Sequence, residues 1–350
     1  MMKRKTLSKG LLGIMILALV LGGCSSDQTK PESNFVKEVT DSIGNALVKN
    51  VLESTLVKKA SAVDTNHVDK AGQSGQVTAI AIVNSRLYAV LDGGVVVYDF
   101  SNKSQKFIPV EDDLKALAVH EGKLFVGGAN LYAIEDNKPV KTDDAFEGAI
   151  TSLYGYGPRL MVGTTTGLYA VGIFGREHLF DDVSVTALTA DENGLWVGTS
   201  GQGLYRWDGE NFQKRFLLRD TTLFDSVNTL AFRYQHLYVG TNNGLHIYDG
   251  GRWENLTTAD GLPSNNVRSI DVSEWVIYAA TDRGMISCFN GDMEPVMKLE
   301  DMNIRLVKIY RGRVIAVTDR GSILYKSGNV LKTLIEPEIK NEESFISALE

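Results

Sequence analysis

One pattern, apolar-x-small-apolar, opens seven consecutive segments of this chain and constrains its fold more than any other feature. The openings are Val77-Thr78-Ala79-Ile80, Leu114-Lys115-Ala116-Leu117, Ile150-Thr151-Ser152-Leu153 and Val185-Thr186-Ala187-Leu188, then Val227-Asn228-Thr229-Leu230, Val267-Arg268-Ser269-Ile270 and Ile304-Arg305-Leu306-Val307. Successive starts lie 37, 36, 35, 42, 40 and 37 residues apart. A second apolar stretch follows each opening, as in Leu124-Phe125-Val126-Gly127, Leu160-Met161-Val162-Gly163, Leu195-Trp196-Val197-Gly198 and Leu237-Tyr238-Val239-Gly240. Third stretches end in pairs such as Trp207-Asp208 and Tyr248-Asp249, and Gly209 and Gly250 then supply the positive φ that tight hairpins need.

Four short strands per unit at this interval predict an all-β chain, a single β-propeller of four-stranded blades over 77–334. One such sheet cannot cover both its faces, so blades must pack side by side in a closed ring. Seven complete units predict seven blades. Ile346-Ser347-Ala348-Leu349 repeats the opening pattern within the tail 335–350, and a closing strand at 346–349 leaves eight open. Large second-strand residues, Trp196 and Tyr238 among them, are expected to fill the gaps between blades rather than to face a ligand.

The units resemble the two-component-regulator propeller repeat, found in the extracellular part of some bacterial hybrid sensor proteins. The resemblance is carried by Asp260-Gly261-Leu262-Pro263-Ser264-Asn265-Asn266-Val267, by Gly194-Leu195-Trp196-Val197-Gly198-Thr199 and by Gly203-Leu204. It implies a propeller with a binding role. The segment after 334 is too short for a kinase or regulator domain, so signalling output is not expected from this chain.

The first 23 residues carry Lys3, Arg4, Lys5 and Lys9 and no acid, and an apolar run from Leu11 to Leu21 follows. That run is shorter than the about 20 residues a membrane span needs, and it reads as a signal peptide, 1–23. It ends in Leu21-Gly22-Gly23-Cys24, which resembles the lipobox of bacterial lipoproteins. The resemblance implies that Cys24 becomes the lipidated N-terminus, so that acyl chains hold the chain to the membrane at the cell envelope. With Ser25 next, it implies the outer membrane if the cell is a diderm. The alternative is an ordinary cleaved signal with an incidental cysteine.

Residues 24–34 read as a polar tether, 35–60 as an amphipathic helix with Phe35, Val39, Ile43, Leu47 and Val51 on one stripe, and 61–76 as a linker. The helix either packs on the propeller or offers its stripe to a partner. The net charge of −7 becomes −11 once the four basic leader residues are removed, which argues against a nucleic-acid partner. Cys288, the second of two cysteines, reads as a buried core thiol with no disulfide partner.

No cofactor motif, metal-ligand spacing or nucleophile signature occurs, and none of the five histidines recurs at one place in two units. They are read as ordinary surface groups, and the chain as a non-enzyme without cofactor or metal; a propeller lyase or hydrolase is the remote alternative.

Acids do recur, just ahead of the opening strands: Glu111-Asp112-Asp113, Asp143-Asp144, Asp181-Asp182, Asp225, Asp260 and Glu300-Asp301. Up-and-down blades bring these connections to one face, together with the second-to-third turns Asp282-Arg283-Gly284 and Asp319-Arg320-Gly321. Aspartate favours turns for local reasons. The functional reading is a negative mouth, diluted by Arg283 and Arg320, for an envelope protein partner or a neutral or basic ligand. The aligned hydroxyls Thr164, Thr199, Thr241, Thr281 and Thr318 either bind there or close their own turns. The expected function is thus a non-catalytic, lipid-anchored interaction or ligand-binding platform. The alternative is a glycan or small-ligand receptor feeding a separate signalling protein.

Overall fold

The computed structural model describes residues 76–215, 226–273, 276–289 and 291–336, all within the second of the chain's two units, 71–350. The expected signal peptide, Cys24, the tether and the helix at 35–60 lie outside the described residues, as do most of the linker and the strand at 346–349.

Among the described residues, 28 strands form seven antiparallel sheets of four, each built from four consecutive strands. The first strands of the blades are Ala79–Val83, Ala116–His120, Ile150–Tyr156, Val185–Asp191, Val227–Arg233, Val267–Ser273 and Ile304–Tyr310. They neighbour one another in cyclic order, the seventh against the first, and so line the centre of the ring. The chain is an all-β propeller of seven blades.

Seven hydrophobic clusters fill the seven gaps, each drawing residues from two adjacent blades. Trp196 sits in the gap between the fourth and fifth blades with Leu204, Val227, Leu237 and Val239. Tyr238 and Cys288 pack in the next gap, and burial pushes the Cys288 thiol up from its ordinary value. Each fully buried Val, Leu or Ile contributes about 1.5–3 kcal/mol before chain entropy is set against it. The recurrent Val-Gly of the second strands has a packing reason. A Cβ on Gly163, Gly198 or Gly240 would lie 2.6, 2.6 or 2.8 Å from Cγ1 of the next blade's opening valine (Val185, Val227 or Val267), inside contact distance. Only glycine lets that valine reach the gap.

Among the described residues, closure uses no exchanged strand. The first blade is made of Ala79–Pro109 and the seventh of Ile304–Ile335, so their union rests on side chains. Val77, Leu87 and Val96 meet Ile315, Val317 and Ile323. The Tyr310 hydroxyl donates to Ser85 Oγ at 2.8 Å, and the Tyr310 and Phe100 rings stack at 4.9 Å. An eighth strand is not required to complete either blade.

Within each blade the strands alternate in direction, so the ring has two different ends. Second-to-third turns and blade-to-blade crossovers share the crossover end, where backbone bonds stitch them together: Thr165 N to Ala149 O, Ser200 N to Ser184 O and Asp319 N to Asn303 O, at 2.9, 2.8 and 3.1 Å. First-to-second and third-to-fourth turns form the hairpin end.

Candidate functional site

The crossover end carries the acids anticipated from sequence, and they fall into two groups. Asp112 is half-buried and holds the second blade's turn: its carboxylate accepts from Ala129 N at 2.8 Å, Asn130 N at 2.9 Å and Asn130 Nδ2 at 3.1 Å. Burial raises its pKa, but these hydrogen bonds outweigh burial and leave it below the usual carboxylate value. Asp282 is also half-buried, accepting from Asn266 Nδ2 at 3.3 Å. The Ser264 hydroxyl does most to lower its pKa, against burial, with help from Asn266 and the charge of Arg268. Asp260 accepts from Thr257 N and Oγ1, closing its own turn.

The second group is exposed: Asp113, Asp181, Asp182, Asp301 and Asp319, with Arg283 and Arg320 between them. Asp113 pairs with Lys115 at 2.6 Å and Asp181 with His178 at 2.9 Å, both at the surface, where such pairs contribute about 1 kcal/mol or less. Asp319 accepts from Asn303 Nδ2 at 3.3 Å. Asp144 is half-buried, and Asp225 lies outside the described residues.

Inside this rim lies a set that the repeat pattern contains without marking it as functional: the x of each opening. It is polar in all seven, as Thr78, Lys115, Thr151, Thr186, Asn228, Arg268 and Arg305. In the third to seventh blades the pairing of first and second strands shifts register at this residue, a bulge that re-aims its side chain. The side chain then crosses to the next blade. Thr78 donates to Leu114 O at 3.0 Å and Asn228 Nδ2 to Val267 O at 2.9 Å, while Thr151 and Thr186 donate to Val185 O and Val227 O.

Four such bonds form part of a belt around the channel. Three positions depart from it with cations. Lys115 turns to Asp113, and Arg268 donates to Asn303 Oδ1 at 2.6 Å. Arg305 is half-buried. Burial first, and then the like charge of Arg268, lower its pKa, with Asp319 opposing. The crossover end is thus an acidic rim around a channel mouth that is cationic on the side of the sixth and seventh blades.

The threonines act within their turns. Thr164, Thr199, Thr241 and Thr281 are buried and donate to Gly167, Gly203, Gly244 and Gly284 carbonyls at 3.2, 2.7, 3.2 and 2.8 Å. Thr318 accepts from Ser322 N. Trp196 is 2% exposed, its Nε1 donates to Asp191 Oδ2 at 2.9 Å, and the Arg206 guanidinium covers its ring at 5.0 Å. It is packing, as expected. His246 corrects the reading of the histidines as surface groups: it is fully buried in the fifth blade, its Nε2 3.3 Å from Thr241 Oγ1. Leu245 and Ile247 of the third strand face the gap to the sixth blade, and His246, between them, is on the opposite face with Tyr248, which packs in the gap to the fourth.

Known proteins with this architecture show how far the likeness goes. The WD40 β-propeller domain of Doa1 matches over 71% of this chain and 95% of its own, at 16% identity and a TM-score of 0.55. The computationally designed Ika8 protein matches over 71% and 82%, at 15% identity and a TM-score of 0.55. What is shared is the propeller fold.

The extracellular domain of a protein described as a hybrid two component system, BT4673 from B. thetaiotaomicron, aligns over 72% of this chain and 45% of that one. There the identity is 16% and the TM-score 0.46. No family model matches this chain, and no curated protein does.

Proposed function

We propose that this chain is a non-catalytic, lipid-anchored propeller of the bacterial cell envelope that docks a partner protein on its crossover end. One observation carries the reading: the topology gathers the exposed carboxylates of Asp113, Asp181, Asp182, Asp301 and Asp319 on a single end, around a polar channel mouth. A basic segment is the complementary partner, steered by a field that salt weakens. Lipidation of Cys24 would hold that surface at a membrane, and the lipobox-like Leu21–Cys24 supports this.

The test is recovery of partners from membranes by the full chain at low salt. Reversing Asp113, Asp181, Asp182 and Asp301 to lysine is expected to release the partner while leaving the fold intact, because none of the four holds a loop as Asp112 does. Undiminished recovery would retire the acidic-rim reading. In the same preparation a Cys24→Ser chain is expected in the soluble fraction, and membrane retention would count against the anchor.

A second reading, a receptor for a small ligand that feeds a separate signalling protein, draws on Arg268 and Arg305. Two neighbouring cations beside the Asn303 amide at the channel mouth suit an acceptor-rich ligand.

A further inference from the structure

The hairpin end holds a cleft of about 180 Å³ where the seventh blade meets the first, lined by Ser85, Phe100, Ser101, Tyr310, Arg311, Arg313 and Tyr325. We infer that this seam cleft captures a peptide of a partner protein in which a carboxylate and an aromatic side chain stand two residues apart, on one face of a strand.

Charge points to the carboxylate. Three other arginines of this end are neutralised by acids, Arg86 by Asp99 at 3.0 Å, Arg159 by Glu177 at 2.9 Å and Arg252 by Asp249 at 3.4 Å. Arg176 and Arg233 each stack singly on rings without an acid among the described residues, whereas at the seam two such arginines share one cleft. Arg311 and Arg313 make no ion pair with a carboxylate among the described residues, in a chain with more acids than bases. Instead each guanidinium lies over a ring of the cleft, Arg311 at 5.1 Å from Tyr310 and Arg313 at 5.9 Å from Tyr325. Stacking fixes the planar fork and leaves its N–H edges to a planar anion.

Shape points to a peptide. Sites that enclose a drug-sized molecule run to about 300–1,000 Å³ and cover most of it. This cleft is smaller, and both arginines at its edge are exposed. It therefore holds one side chain of a strand running past rather than a whole small molecule. The stacked Phe100 and Tyr310 rings form an apolar floor for an aromatic neighbour. The cleft lies at the opposite end of the ring from the acidic rim, so it stands independently of the reading above.

The probe is a fluorescent eight-residue peptide with a glutamate and a phenylalanine two residues apart in a glycine–serine frame, titrated against the full chain by anisotropy. Binding is expected to weaken about tenfold or more in R311A/R313A, and equally when glutamine replaces the peptide's glutamate, since a charge-assisted bond is lost each way. The exposed arginines are not core, so the double variant should melt as the parent does. R176A, which removes an arginine from a distant blade, is the control and should bind unchanged. Equal binding of the glutamine peptide, unchanged binding by R311A/R313A, or no binding of the probe while glucuronate alone binds would each overturn the proposal.

Discussion

Trp196→Ala is expected to lower the stability of the propeller by about 3–5 kcal/mol, the range for deleting a buried aromatic side chain. The indole is 2% exposed and spans the gap between two blades, against Leu204, Val227, Leu237 and Val239. Its removal opens a cavity in an interface that the side chains of two blades fill. It also removes the Nε1 donor of Asp191, leaving that half-buried carboxylate to Arg206 at 2.9 Å and to Asn193 N at 2.7 Å. A total stability of about 5–15 kcal/mol makes this a large fraction. Urea unfolding of the full chain would read it as a shift in midpoint with little change in slope. Trp196→Phe keeps most of the packing and should cost about 1–2 kcal/mol, for the smaller ring and one lost hydrogen bond to a carboxylate that keeps Arg206 and Asn193 N. A loss under about 1 kcal/mol for the alanine variant would mean that the indole is not inter-blade packing, and would reopen its use as a ligand platform.

The second large effect is a loss of stability below neutral pH that traces to one residue. Burial holds the His246 ring neutral and brings its pKa down to about 4. In the unfolded chain a histidine titrates near its ordinary value of about 6.5. Between those two values the unfolded state binds the proton and the folded state does not, so acid favours unfolding. The contribution of neutral His246 is whole above pH of about 6.5 and declines below it. About 2 kcal/mol should be gone by pH of about 5, and about 3 kcal/mol by pH of about 4.

Carboxylates held low, such as Asp112 by its turn amides and Asp282 by Ser264, act in the other range. Their contribution is present above the unfolded value and is lost only as pH falls through it, so the decline between pH of about 6.5 and 5 belongs to His246. Melting temperature against pH should show that slope in the natural chain and a flatter one in His246→Gln. A profile already flat between pH 7 and pH 5 in the natural chain would contradict the burial of the ring.

Much of this architecture was legible because a propeller writes its period into the chain. Each blade must solve the same packing problem, so Leu195-Trp196-Val197-Gly198 and Leu237-Tyr238-Val239-Gly240 repeat the same solution, down to the glycine that admits the next blade's valine. The closing of turns by Thr199 or Thr281 is equally local, since donor and acceptor lie within four residues.

The site was legible only in part. That Asp112 and Asp181 come to one end follows from strand alternation; that Asp112 is a clamp and Asp181 is exposed does not. The difference depends on whether an amide seventeen residues away reaches the carboxylate.

Local spacing therefore set the repeat, the turns and the apolar stripe of each strand, because these depend on residues a few positions apart. Closure of the ring decided the rest. It turned the bulged Arg268 and Arg305 toward one channel, placed His246 out of reach of water, and brought Ser85 beside Tyr310 across 225 residues of chain to make a seam with a cleft in it. Such contacts exist only when the last blade meets the first, and no interval along the chain encodes that distance.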